Sequence, residues 1–110
     1  MSLQNMVARE LYERFVKSFM EVIVLKELGT GNPFCGHEMR ALIHERFQVL
    51  IPSGTIYSLL YSMERNGLVE GMMTGKKRVY RLTEKGKEKL ENISESSDKI
   101  VLLIKSILEK

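Results

Sequence analysis

Tryptophan is absent from this 110-residue chain, cysteine occurs once and proline twice. One cysteine excludes an internal disulfide, so the expectation is a reduced, cytoplasmic protein resting on its apolar core. Apolar runs are short. The longest, Val22-Ile23-Val24-Leu25 and Ile100-Val101-Leu102-Leu103-Ile104, fall far below the ~18–20 residues of a membrane span. No basic stretch leads into an apolar one near Met1, so no signal peptide is expected. A nucleophile elbow, a phosphate-binding glycine loop and an HExxH pair are all missing, and an enzyme is not expected. The acids lie beside bases along helical segments and read as surface charge. What is present is 44% hydrophobic and 28% charged, the composition of one soluble domain able to bury a core.

The net charge of +3 is unevenly spread. Residues 1–70 hold seven Lys/Arg against eight Asp/Glu, and residues 71–110 hold ten against six. Segment 76–89 alone carries seven basic residues against Glu84 and Glu88. Such a cluster in a nearly neutral chain fits a polyanion, although a solvated lysine-rich surface has the same composition.

Apolar spacing divides the chain into elements. Residues 6–28 read as one helix, with Leu11, Tyr12, Phe15, Val16, Phe19, Met20 and Ile23 recurring at three- and four-residue steps, stopped by Gly29 to Pro33. A second helix spans about 35–47 on Met39, Leu42, Ile43 and Phe47. A third, about 53–66, has Ser53 as its expected N-cap and Asn66-Gly67 as its stop. Ile56, Leu59, Leu60 and Met63 form its apolar face. Thr55, Ser58, Ser62 and Arg65 lie opposite, Tyr57 and Tyr61 along the flank, and Glu64 is the only acid. Leu68–Met73 and Lys77–Leu82 read as strands around a Thr74-Gly75-Lys76 turn. Lys76, Lys77 and Arg78 put three adjacent cations at an exposed tip, suited to phosphate. Thr83 caps a last helix expected to run unbroken to about 108. Gly86, Leu90, Ile93, Ser97, Ile100, Ile104 and Ile107 alternate steps of four and three along it, a heptad-like seam widened by Val101, Leu103 and Leu108. Helices one to three and the hairpin cannot obviously cover so long an apolar helix, whereas a partner chain can.

Three helices, a hairpin and a helix describe a fold that is mainly α with a β-hairpin wing. This is a winged helix-turn-helix, residues 1–82, plus a long C-terminal dimerisation helix, residues 83–110, in one structural unit. Its third helix suits a DNA major groove. At this point the residues resemble a known family. Ser53-Gly54-Thr55-Ile56-Tyr57-Ser58-Leu59-Leu60 followed by Met63-Glu64-Arg65-Asn66-Gly67-Leu68-Val69 is similar to the central signature of PadR-like transcriptional regulators. Lys77 to Gly86 resembles their wing strand and the start of their last helix. Gly36 and Glu38 fit the second-helix motif, while His37 stands where the family usually has tyrosine. The resemblance covers roughly residues 15–90. It implies a homodimeric DNA-binding regulator, usually a repressor, whose C-terminal helix pairs with the partner's N-terminal helix. Members often respond to small, frequently aromatic or hydrophobic compounds. No tryptophan is available for the stacking platform that some relatives use.

The expected function is therefore a sequence-specific DNA-binding transcriptional regulator. Thr55, Ser58 and Tyr61 would approach bases, and Ser53, Tyr57, Lys76, Lys77 and Arg78 would position the backbone of a pseudo-palindromic operator. Phe15, Phe19, Leu90, Ile93, Ile100, Leu103, Ile104 and Ile107 are the expected dimerisation residues. Tyr80 is expected to pack beneath the wing. No cofactor or metal is expected, since Cys35, His37 and His44 lack a ligand-spacing motif. Two other readings compete: a winged-helix module that binds protein without DNA, and a redox sensor using Cys35 at a helix N-terminus.

Overall fold

The computed structural model describes residues 3–110. The chain begins with α1 (Leu3–Ser18) and α2 (Met20–Leu28). A two-residue strand, β1 (Phe34–Cys35), leads into α3 (Gly36–Phe47), and α4 (Ser53–Arg65) follows. A hairpin of β2 (Val69–Thr74) and β3 (Lys77–Leu82) precedes α5 (Glu84–Glu95) and α6 (Ser97–Leu108). The three strands form one antiparallel sheet in the order β1-β3-β2.

The core is built from the apolar faces visible in the sequence. Val24, Leu25 and Leu28 of α2 meet Met39 and Ile43 of α3, and Ile56, Leu60 and Met63 of α4. Val49 and Ile51 fill the α3–α4 corner, and Leu68, Val69, Tyr80 and Leu82 close it from the wing. Side chains of this size each contribute roughly 1.5–3 kcal/mol when fully buried. Tyr80 is buried, as expected of a strand residue beneath the wing. The buried Glu27 of α2 pairs with Arg46 of α3, so its charge is compensated where the two helices meet.

Several elements differ from the sequence expectation. The first helix bends at Phe19, whose φ of −99° and ψ of 13° lie outside helical values. Its hydrogen bonds persist across the bend, from Phe19 N to Phe15 O at 3.0 Å and from Ile23 N to Phe19 O at 2.9 Å. The bend falls where the helix leaves the core: α2 is mostly buried, whereas Met6, Val7, Leu11 and Tyr12 of α1 are exposed. The last helix also breaks, at Ser96 (φ −95°, ψ 3°). The run Ser94-Glu95-Ser96-Ser97-Asp98 explains the break, because serine and aspartate compete for backbone hydrogen bonds and disfavour helix interiors. β1 has no sequence signature, since two residues are too few for a periodicity.

Element boundaries carry their own chemistry. Ser53 is not the N-cap of α4. Pro52 takes that place, and its carbonyl accepts from Thr55 N at 3.0 Å and Ile56 N at 3.3 Å. The α4 stop is the expected one. Gly67 adopts φ +78°, its N–H bonds Glu64 O at 3.0 Å, and Leu68 N bonds Met63 O at 2.9 Å, the pair of bonds of a Schellman motif. Thr83 caps α5 as expected: its Oγ1 accepts from Gly86 N at 3.1 Å and donates to Gly67 O at 2.5 Å. At α3, Glu38 Oε1 accepts the Cys35 N–H at 3.0 Å, the reach-back half of a capping box. That bond and the neighbouring thiol hold the Glu38 carboxyl below its ordinary value. Cys35 itself is buried.

The C-terminal seam divides into two unlike halves. Gly86 is buried beneath its own chain, where a Cβ would be driven into Leu68 O. Leu90 and Ile93 are partly buried against the core, with Leu90 lying over Gly29. Lys89 bonds Glu21 at 3.0 Å. Leu90 and Ile93, two of the expected dimerisation residues, thus pack against the core of their own chain. α6 buries no residue, and Val101, Leu102, Leu103, Ile107 and Leu108 are all exposed.

Gly86→Ala is expected to destabilise the fold by about 3 kcal/mol, because the new methyl meets a backbone carbonyl that cannot rotate away; urea unfolding measures it. For Glu38 the pH dependence has a definite sign. A carboxyl whose pKa is lower in the folded state stabilises fully above its unfolded value, about 4.3, and loses that contribution as pH falls through the folded value. The melting temperature of Glu38→Ala should therefore lie below that of the parent at pH 7, with the gap narrowing below about pH 4. A gap that stays constant over that range would contradict the cap.

Candidate nucleic-acid interface

α4 owes its position to the stripe Ile56, Leu60 and Met63, buried to within 1% exposure. Helical periodicity then turns the intervening residues outward. Ser53, Gly54, Thr55, Tyr57, Ser58, Tyr61 and Arg65 are exposed, and Ser62 is half-buried. The first turn contains no acid and faces solvent with the positive end of the helix dipole. A Cβ at Gly54 would meet nothing, so the backbone there is open to close approach. The Tyr57 ring packs on Gly36, where any side chain would collide with it, yet half of the residue stays accessible. Part of the ring is thus held between α3 and α4 while the rest of the residue faces solvent. The Arg65 guanidinium lies 5.6 Å from the centroid of the Tyr61 ring, a cation–π contact. Arg65 was not among the expected site residues. Its four-residue spacing from Tyr61 is the signal that could have found it.

The wing is a two-residue hairpin. Thr74 pairs with Lys77, leaving Gly75 and Lys76 at the tip. Gly75 has φ +64° and Lys76 has no positive φ, the pattern of a type II′ turn with glycine first. Strand alternation then separates the neighbouring cations, because successive side chains leave opposite faces. Lys77 stands on the face of Val79 and Arg81 and feels the charge of Glu38. Arg78 stands on the other face, with the buried Tyr80 and Leu82. Three cations adjacent in sequence therefore do not form one patch.

Most of the basic cluster is internally engaged. Arg78 Nη2 bonds Glu64 Oε2 at 2.6 Å, and Arg81 bonds Glu70 at 2.7 Å across the hairpin. Lys85 donates to Asn66 O at 2.8 Å. Lys87 pairs with Glu84 and Lys89 with Glu21. Among the described residues, Lys76 and Lys77 are the two cations of segment 76–89 without such a bond, and both are exposed at the tip. The Glu64 hydrogen bond, with a smaller contribution from Tyr80, raises the Arg78 pKa above its ordinary value.

The dimerisation candidates occupy other surfaces. Phe15 of α1 and Phe19 at the α1–α2 bend stack with centroids 6.4 Å apart. An apolar cleft of about 540 Å³ lies between α2 and the α5–α6 break, lined by Phe19, Val22, Leu90, Ile93, Ile100 and Val101, with Lys26 as its one charged residue. No described helix is long and apolar enough to cross a membrane.

Comparison with known proteins agrees with this architecture. The model of the transcriptional regulator PadR-like family matches residues 24–92. The solved structure of TA0346 from Thermoplasma acidophilum is 29% identical, over 87% of this chain and 94% of that one, with a TM-score of 0.73. A winged-helix DNA-binding protein from STIV is 31% identical, over 73% of this chain and 88% of its own, with a TM-score of 0.64. A PadR-like transcriptional regulator from Bacillus cereus shares the fold at 24% identity and a TM-score of 0.74, covering 88% of this chain and 98% of that one. No curated protein sequence matches the chain. With the family match spanning well over half its length, on a winged-helix framework, the chain belongs to the PadR-like family of transcriptional regulators.

Proposed function

We propose that the protein is a cytoplasmic, homodimeric, sequence-specific DNA-binding repressor. The observation that carries this reading is the outer face of α4. It is a row of hydroxyls and tyrosines whose single acid, Glu64, is already paired, set beside a hairpin tip that keeps two unpaired lysines. A B-DNA major groove about 12 Å wide admits such a helix. Thr55, Ser58 and Tyr61 approach base edges. Ser53, Tyr57, Lys76 and Lys77 position the phosphates, and Arg65 joins them at the end of the helix. Repression is the usual mode implied by the family resemblance.

Dimerisation is supported by what one chain leaves uncovered. α6 exposes Val101, Leu102, Leu103, Ile107 and Leu108, and α1 exposes Met6, Val7, Leu11 and Tyr12. Exposed apolar side chains clustered on two helices in this way are the kind of surface that marks an association face. A second copy offers the same two helices, so α6 of one chain lies on α1 of the other, with Ile100, Leu103, Ile104 and Ile107 at the interface. Leu90 and Ile93 support it from the intrachain side. The cleft beneath α5 and α6 has the volume and apolar lining of a small-ligand pocket. A small hydrophobic or aromatic effector bound there touches both helix breaks and changes the angle between the two recognition helices.

Duplex binding across a salt series tests the DNA reading. Affinity should fall steeply with salt, and changing Lys76 and Lys77 together to Ala should flatten the slope by up to about 1.8, at about 0.9 for each phosphate left without its cation. A folded dimer that binds no duplex at low salt would instead favour a protein-interaction module. In sedimentation, Leu103→Glu with Ile107→Glu should convert the dimer to a 12.7 kDa monomer and weaken DNA binding with it. A parent protein that already sediments as a monomer would refute the dimer.

A further inference from the structure

The carboxylate of Glu64 sits where three elements meet. It belongs to the last turn of α4, its Oε2 accepts the Gly71 N–H of β2 at 3.1 Å, and the same oxygen accepts Arg78 Nη2 of β3 at 2.6 Å. β2 is an edge strand, so the outward N–H of Gly71 has no neighbouring strand to bond, and Glu64 supplies the acceptor. The Arg78 guanidinium lies flat against Gly71. A Cβ at Gly71 would come within 2.6–2.7 Å of its Nε, Cζ and Nη2, so glycine leaves the space the group occupies. On its other flank the guanidinium lies 5.7 Å from the Tyr80 ring centroid, and Tyr80 is fixed in the core. Arg78 is therefore held by a carboxylate, a bare backbone and an aromatic ring, all within its own chain. Moving it to a phosphate would strip Glu64 of its cation beside a polyanion.

Resting on the DNA-binding reading above, we propose that Arg78 is not a phosphate ligand but a strut. With Glu64 and Gly71 it is a positioning residue that fixes the wing against the recognition helix. Lys76 and Lys77 then reach the backbone at a set distance from Thr55 and Ser58. Glu64 has a second consequence. By occupying Arg78 it withholds a cation from DNA, which lowers sequence-independent affinity and so favours discrimination between sites.

The test compares the salt dependence of binding to a short mixed-sequence duplex. Arg78→Met should not flatten the slope by the ~0.9 of a lost phosphate contact, because Arg78 neutralises no phosphate in the parent complex; loss of the strut should show instead as faster amide exchange along β2 and weaker binding at every salt. Glu64→Ala should release Arg78 and steepen the slope by about 0.9, so that raising salt from 50 to 200 mM weakens this variant about 3.5-fold more than the parent. Amide exchange at Gly71 should quicken in Glu64→Ala and stay slow in Glu64→Gln, which keeps the accepting oxygen. A purely structural pair would leave the Glu64→Ala slope at the parental value, and that result overturns the proposal. So does a slope flattened by about 0.9 in Arg78→Met. If Arg78→Met fails to fold, the Glu64→Ala slope decides alone. A folded parent that binds no duplex at any salt overturns the DNA-binding reading itself, an outcome distinct from the other two.

Discussion

The arrangement depends on the burial of one face of α4. Ile56, Leu60 and Met63 enter the core formed by α2, α3 and the base of the wing. Once that stripe is buried, the helix has no rotational freedom, and Thr55, Ser58 and Tyr61 are turned to solvent by the 3.6-residue period alone. The Schellman stop at Gly67 then reverses the chain into Leu68, so the wing starts from the same core that holds the helix. Thr83 returns the chain to that point: its hydroxyl caps α5 and bonds the Gly67 carbonyl. Helix, wing and C-terminal arm are thereby registered to a single corner.

Charge is used sparingly on this framework. The density of Lys and Arg between 76 and 89 points to a broad basic patch, but most of those side chains are committed to partners within the chain. Arg81 with Glu70, and Lys87 with Glu84, are exposed pairs that add little to stability. Their effect is to take charge out of the exterior field. What remains concentrated is the hairpin tip, where a glycine-first turn presents Lys76 and Lys77 to solvent without a hydrogen-bonded acid.

The C-terminal arm follows a different economy. α5 is anchored by Gly86, Leu90 and Ile93 on its own chain, whereas α6 carries an apolar arc that the described residues of the same chain leave uncovered. The serine-rich break separates the two halves, although backbone hydrogen bonds from Ser96 N to Ile93 O and from Ile100 N to Ser96 O, both at 3.1 Å, still span it. α5 belongs to the domain, and α6 presents its surface to whatever lies beyond it. The apolar cleft sits at that break, where an occupant touches both halves at once.

The core, the helical and strand segments and their order were legible in the sequence because periodicity and punctuation are local properties. The Ser53–Val69 and Lys77–Gly86 signatures placed the family, and its match over residues 24–92 overlaps most of the span where the resemblance was read. The features missed are those in which distant residues meet. The two-residue β1 exists because β3 passes beside it, and no run of two residues announces a strand. The bend at Phe19 marks where one helix leaves a core assembled by others. Gly86 read as a small residue in an intersubunit seam, yet it is small because Leu68 O lies above it. Lys77 and Arg78 read as one patch because they are adjacent, but the pleat sends them to opposite faces, and only folding brings Glu64 to Arg78 from fourteen positions away. Which faces of α2, α3 and α4 are apolar enough to form a core follows from hydrophobic pattern and was determined by the sequence alone. Which charges remain free to act is decided by pairing through space, and only the tertiary structure settles it.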